Sequence, residues 1–269
     1  FVKNKRAMIA LVIFLIIALM AIFGPMISPY SYDGMDTAIM NQRPSAAHWF
    51  GTDRFGRDLF TRVLYGARIS LMVGIVTAVI NTIIGVIYGG IAGYVGGRVD
   101  MWMMRLTDIL YSIPELLYII LIMLIFGSNV RSIIIGVCVA GWISMARMVR
   151  SQIITLKEQE FALAAFVLGA NSRRILFKHL IVNSLGTIIV TVTLMIPQAI
   201  FMEAFLSFVG VGISAPMASL GTLAQDARTY LEIFPYQMLF PVAAICVTIF
   251  SLNFIGEGLN SALNPKGKR

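Results

Sequence analysis

Long apolar runs alternate with short polar segments along this chain, and the runs are of the length that crosses a bilayer. A helix needs about 20 mainly apolar residues to span a hydrocarbon core about 30 Å thick. The pattern predicts six membrane-spanning helices, at about 7–28, 69–96, 109–130, 131–150, 184–208 and 236–259. Asp108 and Glu115 interrupt the third run, and Arg131 follows a Gly127-Ser128-Asn129 turn that would join the third and fourth runs into a hairpin. The predicted fold is an all-α, polytopic membrane protein.

Composition agrees with that pattern. The chain is 58% hydrophobic and 13% charged, with a mean hydropathy of +0.86, whereas a soluble domain has about 25% charged residues. Its net charge of +8 comes from basic residues at the ends of apolar runs, which is typical of membrane topology rather than of nucleic-acid binding. We therefore expect no nucleic-acid partner. Cys138 and Cys246 each lie in an apolar run, as free thiols do.

The placement of lysine and arginine predicts the orientation of the chain. The first run resembles a signal peptide, but its length favours a retained helix with its N-terminus in the cytoplasm. Fourteen of the 21 basic residues then lie on the cytoplasmic side. These are Lys3, Lys5, Arg6, Arg98, Arg105, Arg147, Arg150, Lys157, Arg173, Arg174, Lys178, Lys266, Lys268 and Arg269. Both termini are expected in the cytoplasm.

One cytoplasmic segment, 155–183, is polar and basic between two apolar runs. Thr155 and Glu158 have the spacing of a capping box, which predicts a helix from Thr155 to about Leu168. Gly169 suits a left-handed C-terminal cap, and Asn171 or Ser172 can begin a second helix. Charge alone would fit an ordinary basic loop, but the offsets of the cap, the paired alanines and the glycine favour a helical hairpin for docking.

The segment resembles the cytoplasmic coupling loop of ABC-importer permeases, whose motif is Glu-Ala-Ala, three residues, Gly, nine residues and Ile-x-Leu-Pro. Ala164, Ala165 and Gly169 match in spacing, whereas Leu163 and Val182 replace the motif's Glu and Pro. The strings HWFGTD at 48–53, GRD at 56–58, LSFVGVG at 206–212 and NFIGEGL at 253–259 are similar to the peptide/nickel permease family. The resemblance covers nearly the whole chain.

This resemblance implies a bacterial inner-membrane permease that is not itself an enzyme. It implies three kinds of partner: a homologous second permease, two ATPase subunits that bind ATP and Mg²⁺, and an external substrate-binding protein. The residues expected to couple to the ATPase are Glu158, Glu160, Ala164, Ala165, Gly169, Arg173 and Arg174. The implied division is a first helix with its outer segment (1–67), a transmembrane core (68–260) with coupling loop 151–183 between helices 4 and 5, and a cytoplasmic tail (261–269).

Two stretches on the outer side are too polar or too rich in glycine and proline to span. Within 29–67, Arg57 to Arg68 has the composition of an amphipathic helix at the interface. This stretch is either a solvated connection or, by the resemblance, a cap that meets the external binding protein. The second stretch, Gly210 to Pro235, is expected to fold partly back toward the membrane.

Four glycines recur every four residues in the second predicted helix: Gly85, Gly89, Gly93 and Gly97. This spacing puts them on one face, where the absence of side chains lets another helix approach. Internal packing is favoured over a subunit interface.

Little in the chain predicts catalysis. There is no Walker sequence, and with His48 and His179 on opposite sides no histidine-based metal site is expected. Glu203, six residues after Pro197, is the main intramembrane charge, and a carboxylate there costs about 2.5–3.5 kcal/mol. Either Glu203 and Pro197 line or gate a translocation path, or Glu203 lies near the outer interface, or it is protonated and hydrogen-bonded to a neighbouring helix.

The expected function is peptide import, with an oligopeptide favoured because 214–221 resembles oligopeptide relatives, although Leu220 stands where Trp is usual. A nickel or other small-solute permease stays open within that class. An ion-coupled carrier would need several ionisable residues at mid-membrane and an inverted repeat, and a membrane scaffold would show no substrate-dependent ATPase stimulation.

Overall fold

The computed structural model describes residues 4–263, and its regular elements are helices joined mostly by short turns. Before the coupling segment they are α1 (Lys5–Ile27), a 3-10 turn (Thr37–Ile39), α2 (Leu59–Val95), α3 (Gly97–Tyr111), α4 (Glu115–Phe126), α5 (Val130–Ala140) and α6 (Trp142–Lys157). After it come α7 (Glu160–Val167), α8 (Ser172–Arg174), a π-helical segment (Ile175–Leu180), α9 (Ile181–Val209), α10 (Leu220–Arg228) and α11 (Tyr236–Leu263). The expected positions Lys3, Lys266, Lys268 and Arg269 lie outside the described residues.

Five continuous helical stretches are long and apolar enough to cross a membrane: 5–27, 59–95, 130–157, 172–209 and 236–263. A sixth span is obtained if α3 and α4, which are bent by 74°, are taken together. The polytopic all-α prediction is therefore confirmed. The expected division at residue 67 falls inside α2, and the predicted tail begins inside α11.

The second predicted span begins ten residues too late, because α2 starts at Leu59 rather than at about 69. The Asp58 carboxylate caps this helix by accepting hydrogen bonds from the Thr61 amide at 2.8 Å and the Thr61 hydroxyl at 2.7 Å. A separate interfacial helix from Arg57 to Arg68 is therefore wrong. Arg62 in the first turn of α2 is only 2% exposed, which an interfacial helix would not allow.

The third predicted span, 109–130, is broken near its start. The helix that begins at Gly97 ends at Tyr111, and the next begins at Glu115, directly after Pro114. Proline removes a backbone donor and disfavours helical geometry in the residue before it. The hairpin between α4 and α5 follows the prediction, since Gly127 has φ +82° and the Asn129 side chain caps α5.

The long α2 is the central helix, and it packs most extensively against α6 and α9. A Cβ atom added to Gly89 would lie 2.1 Å from the Ala146 carbonyl oxygen, and one on Gly85 would lie 2.6 Å from the Met145 Cβ. Gly93 faces the Arg150 carbonyl oxygen at 2.8 Å in the same way. These three glycines let α6 approach the α2 backbone. Gly97 does not belong to the stripe, because it starts α3 with φ +56° and has no atom within 4 Å of its added Cβ.

Residues 28–58, which we call the cap segment, cover the end of the bundle where α2 starts. Buried polar and charged side chains hold them in place. Arg57 Nε lies 2.6 Å from Asp53 Oδ2, and His48 Nδ1 lies 2.9 Å from Asp58 Oδ1. Arg57 and Arg62 also lie 3.6 Å and 3.9 Å from the Asp226 carboxylate of α10. The cap segment and α10 are thus joined by one ionic cluster.

Candidate functional site

The end of the bundle opposite the cap segment carries a helical hairpin, residues 158–174, which is the predicted coupling segment. Its helix is shorter than predicted. Thr155 lies in the last turn of α6, where its hydroxyl donates to the Ser151 carbonyl oxygen at 3.1 Å, so the expected capping box does not form. The helix is interrupted at Glu158 and Gln159, and α7 runs only from Glu160 to Val167.

The far end of α7 has the predicted glycine turn. Gly169 has φ +82°, its amide donates to the Phe166 carbonyl oxygen, and the Ala170 amide donates to that of Ala165, both at 3.0 Å. This pair of bonds is the Schellman arrangement that ends a helix at a left-handed residue. The Asn171 side chain then accepts from the Arg174 amide at 2.8 Å and starts α8. The second helix is not separate, because it continues through the π-helical segment into α9.

Ala164 and Ala165, which were both expected to couple to the ATPase, lie in different environments. Ala165 is buried with Ala162 in a core cluster that includes Val149 and Ile153 of α6 and Leu180. Ala164 is exposed. Ala165 therefore fixes α7 to its own chain, and only Ala164 is free to meet a partner.

The sequence analysis did not identify the most exposed apolar residues of the hairpin as a candidate contact. Phe166, Val167 and Leu168 are 69%, 83% and 86% exposed, at the tip beside Gly169. Three consecutive apolar residues before a left-handed glycine, inside a polar segment, are the signal that could have indicated them. The same hairpin carries four exposed charged side chains: Glu158, Glu160, Arg173 and Arg174. An apolar knob with a polar rim is typical of a protein contact.

A second feature, at mid-height in the bundle, is a cavity of about 480 Å³. Pro197 lines it, as do residues of α2, α4, α5, α6 and α11. Its polar wall residues are Thr77, Asn81, Tyr111, Glu115, Ser144, Gln198 and Asn253. Glu115 faces the same cavity as Pro197, which lies near the middle of α9. The break before α4 brings it there.

Glu203 does not line this cavity. It is 0% exposed and accepts hydrogen bonds from Ser70 Oγ at 2.7 Å and Ser207 Oγ at 2.8 Å. The hydrogen-bonded alternative therefore describes its environment, and Pro197 and Glu203 are not brought together in one site. Buried polar groups of this kind are normally paired, because an unpaired one costs about 1–3 kcal/mol.

Acidic residues of α3 tie it to α6 near the hairpin. Arg147 Nη2 lies 2.9 Å from Asp108 Oδ1, and Arg150 Nη2 lies 2.5 Å from Asp100 Oδ2. Lys157 at the end of α6 donates to the Tyr94 carbonyl oxygen of α2 at 2.6 Å. These bonds link the hairpin end of α6 to both α2 and α3.

Comparison with known proteins identifies the family. Residues 85–269 match the model described as binding-protein-dependent transport system inner membrane component, and residues 1–44 match the N-terminal TM domain of oligopeptide transport permease C. The chain is 49% identical over 266 residues to the oligopeptide transport system permease protein OppC of Bacillus subtilis, covering 99% of this chain and 87% of the relative.

Two further relatives agree. The chain is 48% identical over 268 residues to the dipeptide transport system permease protein DppC of B. subtilis, covering 99% of this chain and 84% of that protein. It is 46% identical over 270 residues to OppC of Escherichia coli (strain K12), covering 100% of this chain and 89% of the relative. The chain therefore belongs to the family of inner-membrane components of binding-protein-dependent transport systems.

Proposed function

We propose that this chain is one of two permease subunits of an ATP-driven importer of peptides, with an oligopeptide as the favoured substrate. The single observation that carries the substrate class is the similarity along nearly the whole chain to permeases named for oligopeptide and dipeptide transport. In this proposal the chain forms half of the translocation path. A homologous permease forms the other half, and an external binding protein delivers the peptide.

Energy would enter through the hairpin. Two ATPase subunits carry ATP and Mg²⁺, and one of them receives the apolar tip formed by Phe166, Val167 and Leu168 in a groove. The permease performs no hydrolysis itself. Closure of the ATPase pair on nucleotide displaces the hairpin, which biases the bundle between inward-open and outward-open arrangements.

The packing of the hairpin supports a mechanical role. Ala162 and Ala165 of α7 pack against α6, and the residues after Asn171 continue as helix up to Val209. A displacement of the tip would thus reach α6 through side-chain contacts and α9 through continuous backbone. Close packing transmits such displacements because packed interiors have little room to deform.

In this proposal the hairpin and both termini face the cytoplasm of a bacterium, and the cap segment faces outward. The excess of basic residues at the hairpin end supports that orientation. The ionic cluster that joins the cap segment to α10 would give the binding protein a rigid surface to meet.

Co-purification tests the docking proposal. This chain is expressed with its partner subunits, extracted in mild detergent and purified through a tag on the permease. We expect the ATPases to accompany the wild type and Ile233→Asp, and to be lost with Leu168→Asp. Ile233 is the matched control, because it is an apolar residue, 68% exposed, in the turn between α10 and α11. Retention of the ATPases by Leu168→Asp would contradict the docking site.

A further inference from the structure

Two departures from regular helix lie on the wall of the mid-height cavity. The α3–α4 break at 112–114 lies between the wall residues Tyr111 and Glu115. Pro197, inside α9, has no amide hydrogen to donate to the helix backbone. Irregular backbone at membrane depth is tolerated where it is buried in protein or lines a water-filled cavity. The convergence marks this cavity as more than a packing defect.

One wall residue has a buried acceptor that is left unpaired. Asn81 of α2 is 3% exposed, and its Oδ1 has no hydrogen-bond partner within residues 4–263. The side-chain amide nitrogen of Asn81, Nδ2, lies against Gly141: a Cβ atom added to Gly141 would be 2.5 Å from it. Leaving a buried amide oxygen unpaired costs about 1–3 kcal/mol. A ligand that donates a hydrogen bond would remove that cost.

The same cavity contains an unpaired carboxylate. Glu115 is half-buried at the first turn of α4, and among the described residues its carboxylate forms neither an ion pair nor a hydrogen bond. The residues that line the cavity include no lysine, arginine or histidine. The wall therefore offers one negative charge and a buried acceptor, and it is complementary to a cation that donates hydrogen bonds.

We propose that this cavity holds the N-terminal ammonium group of a peptide during transit, with Glu115 as its counter-ion and Asn81 Oδ1 as a hydrogen-bond acceptor. The inference rests on the proposed function, since it takes the substrate class from there. An ammonium group carries three N–H donors and one charge, which matches an acceptor pair of this kind. Gln198 and Asn253, also in the wall, offer amide groups to the peptide backbone that follows.

The donor set favours an ammonium group over a metal ion. Calcium takes six to eight oxygen ligands and magnesium requires near-octahedral coordination, whereas this wall holds a single carboxylate. No cluster of three or more histidine, cysteine, aspartate or glutamate side chains suited to a metal occurs in the part of the chain that the structure describes. An ammonium group needs fewer acceptors.

Direct binding to the purified, nucleotide-free complex of this chain with its partner permease and ATPases tests the proposal. The external binding protein is left out, so that its own selectivity does not enter. The probes are the tetrapeptide Ala-Ala-Ala-Lys with a fluorophore on the lysine side chain and the same peptide acetylated at its N-terminus. Fluorescence anisotropy gives the two dissociation constants. We expect the free peptide to bind the wild-type complex about 10-fold more tightly or better, because charged hydrogen bonds are strong.

Two variants and one control locate the effect. Glu115→Gln, which keeps the shape of the side chain, should remove most of the preference for the free N-terminus. Asn81→Leu, of similar volume, should weaken binding of the free peptide roughly two- to ten-fold, the range expected for one hydrogen bond. Glu257→Gln, at an exposed carboxylate of α11, should change neither constant. Each variant is compared only after its ATPases are shown to co-purify as with wild type.

The proposal is overturned if the wild-type complex binds both peptides equally or binds neither, or if Glu115→Gln keeps the full preference. Uptake of the free peptide into vesicles by the wild-type importer separates this result from a failure of the proposed function. Peptide uptake without a binding preference refutes the ammonium site alone. Absence of uptake for any peptide refutes the peptide importer itself.

Discussion

Ser70 of α2 donates a hydrogen bond of 2.7 Å to the carboxylate of Glu203 of α9, across 133 residues of sequence. Ser207 donates to the other carboxylate oxygen at 2.8 Å, and Ser219, which caps α10, lies 3.4 Å from the Ser207 hydroxyl. This chain of side chains ties α2, α9 and α10 together. The carboxylate thus fixes the end of the bundle that the cap segment covers.

Glu203→Leu should destabilise the permease, because it leaves the buried Ser70 and Ser207 hydroxyls without their acceptor. A loss of about 2 kcal/mol would lower the unfolding temperature by roughly 4–8 °C. Thermal unfolding of the purified complex in detergent measures it. Glu232→Leu, at an exposed carboxylate in the turn after α10, is the control that should leave the temperature unchanged. An equal effect of both substitutions would contradict the assignment.

Gly89→Ala should disrupt the α2–α6 contact, whereas Gly90→Ala should be tolerated. The added methyl group on Gly89 would lie 2.1 Å from the Ala146 carbonyl oxygen, which belongs to rigid backbone, while the nearest atoms to one on Gly90 are at 3.6 Å. Overpacking typically costs about 1–3 kcal/mol, and alanine is otherwise the better helix former. Yield of folded protein and its unfolding temperature distinguish the two. A tolerated Gly89→Ala would show that α6 does not pack this closely.

Arg57→Ala should loosen the cap segment. Arg57 is 4% exposed and pairs with Asp53, so its removal leaves a buried carboxylate with one fewer partner, at a cost of about 3–5 kcal/mol. Limited proteolysis from the cap side should then cut residues 28–58 many times faster. Arg68→Ala, at an exposed arginine on α2, should be cut at the wild-type rate, and an unchanged rate for Arg57→Ala would refute the structural role of the cluster.

Gly169→Val should uncouple transport without preventing membrane insertion. A β-branched side chain at φ +82° is strained by about 1–2 kcal/mol, which would reorient the tip. Asparagine adopts this conformation more readily, so Gly169→Asn should keep much of the peptide uptake that Gly169→Val loses. Equal uptake by both variants would show that the cap geometry has no part in coupling.

The hydrophobic pattern predicts the spans well, because burial in lipid demands long apolar runs wherever a helix crosses. Their ends are less predictable. Leu59 to Arg68 is mainly apolar but carries Arg62 and Arg68, and tertiary ion pairs bury Arg62 so that α2 begins as early as Leu59. The break at Pro114 was not predicted either, since an apolar run does not reveal whether its helix bends.

The coupling segment likewise has some features that the sequence predicts and others that it does not. Gly169 and Asn171 act locally, through backbone conformation and capping, and the sequence predicts both. The split between buried Ala165 and exposed Ala164, and the exposed tip at Leu168, depend on how α7 packs against α6. The cavity formed by Asn81, Glu115 and Asn253 joins residues from three helices, and no local pattern places them together.

The measurement that tests the peptide-importer account most directly is uptake of a labelled oligopeptide into proteoliposomes that contain this chain with its partner permease, ATPases and binding protein. We predict uptake that requires both ATP and the binding protein and that falls to background with Leu168→Asp. A well-folded wild-type complex that takes up no peptide in the presence of ATP would contradict the account.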